Sequence, residues 1–370
     1  VKSFRKLSAR RVMQFRVIQF IVGATCVMSL TACQGIYKGT GNGIKRYTAT
    51  QVVPYVAATT DIHQACQMAT AMTPVLFSFE RVGTRLDDSR ILLSMLSGHC
   101  ASQQAWNAQL NYSAALKQQQ QAAAQDARIV EKRALVLAAQ RYWLGYQAKR
   151  QFFQQEGAPS QANSGSHPSK SMLRPAASES GVCPQNFDQS HQMLWLVGMV
   201  DGLLAVMSDS LAERAANIPL SAIGQIADDA QCLQDAQWWG MASAIPAMVA
   251  ALKNGDAAPY LPALRQSSGL GFAQGVRLAS VLEANIYVTQ GNDAALKEAI
   301  RRFAGDAKQP FKVKSQYALF DAAATEHVQA MSDQLWMQAT GHRTPVGQLG
   351  KFWDDKAASV GDDVDLSDVL

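Results

Sequence analysis

Residues 340–347 read TGHRTPVG and place His342 beside Arg343 in a loop bounded by Gly341 and Pro345. An imidazole in such a loop can act as a general base. Hydrolysis also needs a nucleophile and a carboxylate that orients the base. No Ser stands in a GxSxG elbow, and no partner acid can be assigned to His342 from spacing. The expectation is therefore a protein that is not an enzyme, with a hydrolase using His342 as the least favoured alternative.

Asp201 offers different chemistry. It interrupts the apolar run Met193 to Met207, between Gly198 and Gly202. A carboxylate buried there needs a partner or takes up a proton. Its functional role would be to orient the polar end of a ligand in an apolar cavity; the alternative is a surface-facing residue or a structural bond to an Arg. Trp195, Trp238 and Trp239 are of the type that lines such cavities, and of the type that fills cores. Asp201 and these three tryptophans form the candidate ligand-binding set, with the tryptophans favoured as core.

Two glycine-rich stretches resemble nucleotide loops only in outline. SSGLGFAQG (267–275) follows YLPALRQ, which reads as helix rather than strand, so it is expected to be a turn between helices. The glycines at 39, 41 and 43 follow no strand either, and that segment is expected to be a flexible tether. No CxxC or HExxH occurs and no two histidines stand at i, i+4, so neither a metal centre nor a cofactor is expected.

The cysteines point to an address. The first sixteen residues hold six Lys/Arg and no acid, and an apolar stretch, VIQFIVGATCVMSLTA, follows. A basic start, a short apolar core and a small-residue junction make a secretory signal over residues 1–32. Leu30-Thr31-Ala32-Cys33 resembles the lipobox of bacterial lipoproteins, in which Cys33 is diacylated; two chains anchor stably where one does not. Gln34, in place of Asp, implies the outer membrane, with the protein facing the periplasm. In that oxidising compartment Cys66, Cys100, Cys183 and Cys232 are expected to form two disulfides. Three pairings exist; Cys66–Cys100 with Cys183–Cys232 is favoured because each bridge then staples neighbouring helices.

Without residues 1–32 the chain keeps 28 Lys/Arg against 29 Asp/Glu, so its charge gives no case for nucleic acid. Ala, Gln, Leu and Met are abundant and strand-type alternation is scarce, which predicts an all-α protein. The expected order is a signal at 1–32, a lipidated tether at 33–60 and a helical half at 61–156. A Gly/Pro/Ser-rich disordered linker at 157–182, a second helical half at 183–353 and an acidic tail at 354–370 complete it. Asp61 and Asp88 are expected helix caps, and KQQQQ (117–121) an exposed helix face. The helix over 191–211 is expected at the centre of the core.

Antiparallel helix pairs, one closing on YVTQGNDAALKEAI, resemble tetratricopeptide-type repeats. Residues 190–303 are similar to the T component of TRAP transporter systems. The likeness rests on MLWLVGMVDGLLAVMSDS with its Met207-Ser208-Asp209 turn, on the Ile218-Pro219 step and on the helix ending near Tyr287. It implies a helical-hairpin array in an envelope lipoprotein that forms homo-oligomers, encloses an apolar channel and has a periplasmic solute-binding protein as partner. A purely structural scaffold lipoprotein is the alternative. An enclosed apolar cavity between the halves would favour the binding reading.

Overall fold

The computed structural model describes residues 35–156, 183–184, 187–305 and 310–355. The signal segment with Cys33, the linker at 157–182 and nearly all of the acidic tail lie outside the described residues. The chain is all-α, and no strand occurs among the described residues.

The segment expected to be a tether is a helix, α1, over residues 35–57. Its middle, Thr48–Val52, is π-helical, and Val53–Ala57 completes it. Gly41 makes this possible, because a Cβ there would collide with Thr84 and meet Phe79 at 3.2 Å. Helix α2 (Ile62–Ser78) starts as expected at Asp61, whose carboxylate accepts the Gln64 N–H at 2.9 Å. Helix α3 (Asp87–Lys117) begins two residues earlier than it would with Asp88 as its cap. Asp88 sits in the first turn instead, accepts the Ser89 N–H and lies 3.6 Å from Lys45.

The glutamine run is not a helix face. Gln118 to Gln120 form the turn between α3 and α4 (Gln121–Glu156), with Gln119 in the left-handed region at φ 58°. The two long helices pack as an antiparallel hairpin, and α5 (Gln189–Leu211) lies against both. By length and composition α5 could cross a membrane, but 67% of its apolar window is buried inside this protein. Helices α6 (Ala222–Ala230), α7 (Met241–Asn254) and α8 (Leu261–Gln274) follow. The break before α7 falls at Gly240 (φ 78°), while Pro246 stays inside the helix. Helices α9 (Leu278–Thr289) and α10 (Asp293–Ala304) form the expected hairpin at Gly291 and Asn292, and α11 (Ala318–Thr340) closes the fold.

The expected division into two halves does not divide the packing. The largest core cluster joins Leu96 and Tyr146 to Leu196, Trp238 and Phe320, and α11 also packs on α3. Both expected disulfides are present, Cys66–Cys100 tying α2 to α3 and Cys183–Cys232 tying the approach to α5 to the end of α6, with Cα separations of 5.6 and 5.4 Å.

Candidate functional site

Asp201, Trp195, Trp238 and Trp239 are all buried, but none of them lines either of the two apolar chambers described below. The face of α5 that carries Gly198, Asp201 and Gly202 presses on α4. A Cβ on Gly198 would strike Lys149, one on Gly202 would meet Tyr146 at 2.7 Å, and one on Gly145 of α4 would strike the Asp201 carboxylate. Neither oxygen of Asp201 has a hydrogen-bond partner. Burial without a partner raises its carboxyl well above the usual range, so Asp201 is a neutral acid in a helix seam.

The buried ion pair of this seam belongs to Lys149 and Asp229. Burial pulls the Lys149 ammonium down to about 8, against the opposing pull of Asp229. Trp195 serves that pair: its ring lies 3.5 Å from the Lys149 ammonium and its indole N–H donates to the Asp229 carbonyl at 2.9 Å. Trp238 donates to Gln192 at 2.7 Å, and Trp239 packs edge-on against Tyr317 at 4.8 Å. These tryptophans are core.

The cavity lies on the other side of α5. Leu196, Val200, Leu204, Met207 and Leu211 recur at helical spacing and form one wall. Asp201 is one residue, about 100°, round from Val200, which is why it faces α4 instead. Residues from α3, α4, α9 and α11 complete a mostly apolar chamber of about 110 Å³ between the expected halves. For scale, an engineered apolar cavity of about 150 Å³ binds benzene. The chamber suits a ring or a short alkyl chain, not a sugar or nucleotide. A second apolar chamber of about 100 Å³ lies beyond Met95, Leu96 and Phe320, which line both. Its far side is α1, through Thr48, Val52, Val53 and Val56.

A few polar groups reach the first chamber. The Tyr142 hydroxyl lies 3.3 Å from that of Ser102, and burial pushes its pKa upward, so it remains a donor. His327 also lines the chamber; burial, helped by His99, pulls its imidazole down to about 3 and keeps it neutral. Beside it Glu326 bridges two helices, with His63 Nε2 and His99 Nε2 each 2.9 Å from one of its oxygens and Gln103 donating as well. Burial works against ionisation of Glu326, yet His99, Gln103 and His63 hold its carboxyl below the usual range. Trp106 stands between the imidazoles of His99 and His327, at 5.5 and 4.8 Å. The Cys66–Cys100 bridge fixes α2 to α3 beside this cluster.

The expected ligand set and the observed chamber therefore do not share a residue. His99, Tyr142, Glu326 and His327 are hundreds of residues apart in part, so no local spacing marks them. The α5 stripe from Leu196 to Leu211 is the one signal that was readable. His342 sits on an exposed loop with Nδ1 3.0 Å from the Arg343 carbonyl and its ring over Trp336; the group it meets is a carbonyl, not a carboxylate. SSGLGFAQG lies mostly within α8, and only Gly275, at φ 78°, makes the turn. No cluster of metal-ligating side chains occurs among the described residues. No protein-family model, curated protein or solved structure matches this chain.

Proposed function

We propose that this protein is a lipid-anchored, periplasm-facing binding protein of the bacterial outer membrane that holds a small apolar ligand between α3, α5, α9 and α11. The observation that carries the reading is the chamber itself: apolar walls, a few converging polar groups, and a position between two helix sets that a purely structural scaffold would fill. Tyr142 offers a hydroxyl donor and His327 a neutral imidazole to one polar atom of the ligand. Acylation of Cys33 supplies the anchor, and the likeness to TRAP T components supports a periplasmic solute-binding protein as the partner that delivers or receives the ligand.

The test is extraction and mass spectrometry of small molecules from natively purified protein, beside Ala324→Leu, which extends a side chain into the chamber from α11. Wild type should retain an apolar compound and the variant should lose it while keeping its helical circular dichroism. A ligand at a hundredfold its Kd adds about 2.7 kcal/mol to stability, so thermal unfolding gives a second readout. An empty wild-type protein whose melting is unmoved by benzene or short alkanols would refute the reading.

A further inference from the structure

We propose that the outward face of α1 docks on the surface of an anionic phospholipid membrane. The proposal extends the anchor reading above, and its test reads the two separately. Ile36, Tyr47 and Tyr55 are large, apolar or aromatic, and 69%, 63% and 76% exposed. Ile36 and Tyr47 are eleven residues apart, about three turns, and so lie on one line of the helix. The eight residues from Tyr47 to Tyr55 would carry Tyr55 about 80° off that line in a regular α-helix. The π-helical stretch Thr48–Val52 lies between them, and its wider turn swings Tyr55 back while Val53 and Val56 keep facing the second chamber.

The charge of α1 has one sign. No Asp or Glu occurs before Asp61, so Lys38, Lys45 and Arg46 are the charged side chains of α1. Lys45 faces Asp88 and Lys38 lies on that same side, about 200° round from Ile36, whereas Arg46 is exposed next to Tyr47. Tyrosine rings with an apolar body and a polar tip favour the headgroup region, and cations there are attracted to anionic lipid. Cys33 lies two residues before the first described turn, which places this helix, rather than any other, within reach of the bilayer. A lipid surface fits a row of exposed apolar and aromatic side chains with a cation beside it.

The experiment uses the full-length protein in vesicles of phosphatidylethanolamine and phosphatidylglycerol carrying brominated acyl chains. Emission is compared between wild type, Tyr55→Trp and Val130→Trp, the last on exposed α4. Docking predicts quenching of the indole added at 55 and none of that added at 130. Arg46→Gln should lower the docked-to-undocked ratio about fivefold, and high salt should act the same way. An indole at 55 that bromine does not quench overturns the proposal, whether the face is bare or covered by a protein. The mass of the Cys33 peptide reads the anchor independently. An unacylated chain that is still quenched retains the docking and removes the anchor, and an acylated chain that is not quenched does the reverse.

Discussion

Asp201→Asn isolates a buried neutral acid, and the pH dependence of stability is where its effect is read. In the folded protein burial keeps the carboxyl protonated, while in the unfolded chain it ionises above about 3.8. Unfolding above that pH releases a proton, so stability falls as pH rises, by up to about 1.4 kcal/mol per unit until the raised folded value is reached. His327 acts in the opposite sense. Its pKa is about 3 when folded and 6.5 when free, so the unfolded chain takes up a proton across that window and stability falls as pH drops. Between pH 4.5 and 6.5 His327 contributes about 2–3 kcal/mol and Asp201 acts with the opposite sign, so the two offset each other in wild type. Asp201→Asn removes one of them without changing shape. Urea unfolding at pH 4.5, 5.5 and 6.5 should show the variant gaining on wild type as pH rises, by up to about 1.4 kcal/mol per unit, and His327→Gln losing about 2–3 kcal/mol across the range. Groups common to both proteins drop out of the difference. Parallel curves for Asp201→Asn and wild type would refute the reasoning, because the carboxyl would then be ionised when folded. Ligand retention should be unchanged, since Asp201 faces α4.

Gly145→Ala places a methyl against the Asp201 carboxylate in the α4–α5 seam and should cost about 1–3 kcal/mol in urea unfolding, a cost that Gly43→Ala, at a glycine with open space around it, would not show. Lys149→Met leaves Asp229 without its buried cation and should cost about 3–5 kcal/mol; adding Asp229→Asn should recover much of it. Replacing Cys66 and Cys100 together by Ser opens a loop of 34 residues and should cost about 3–4 kcal/mol by chain entropy, with non-reducing peptide mapping of wild type showing that bridge and Cys183–Cys232.

The helical class and the cap at Asp61 were readable because each rests on a local preference. The turn at Gln119 was not, because glutamine favours helix and nothing in KQQQQ marks a left-handed residue. Glycines at 39, 41 and 43 suggested a tether, yet Gly41 serves as the flat contact that lets α1 lie on Thr84. At the site the reading of α5 as a central helix was right, but which side Asp201 faced depended on where α4 lay. Glu326 and His99 are 227 residues apart in sequence and meet only through the packing of α11 on α3. Such a meeting is a property of tertiary structure, and no window of sequence contains it.

The wall of Met95, Leu96 and Phe320 between the two chambers has a consequence for how ligand length would be sorted. A growing alkyl chain gains about 0.8 kcal/mol for each methylene it buries, until the first chamber is full. The next carbon meets side chains rather than space, and affinity should stop rising with length. Methionine is flexible and phenylalanine can rotate, so a chain long enough to turn both aside reaches a second run of apolar volume and the gain resumes. Affinity against chain length would then be a staircase with one flat tread, its position set by three side chains and not by any movement of the helices.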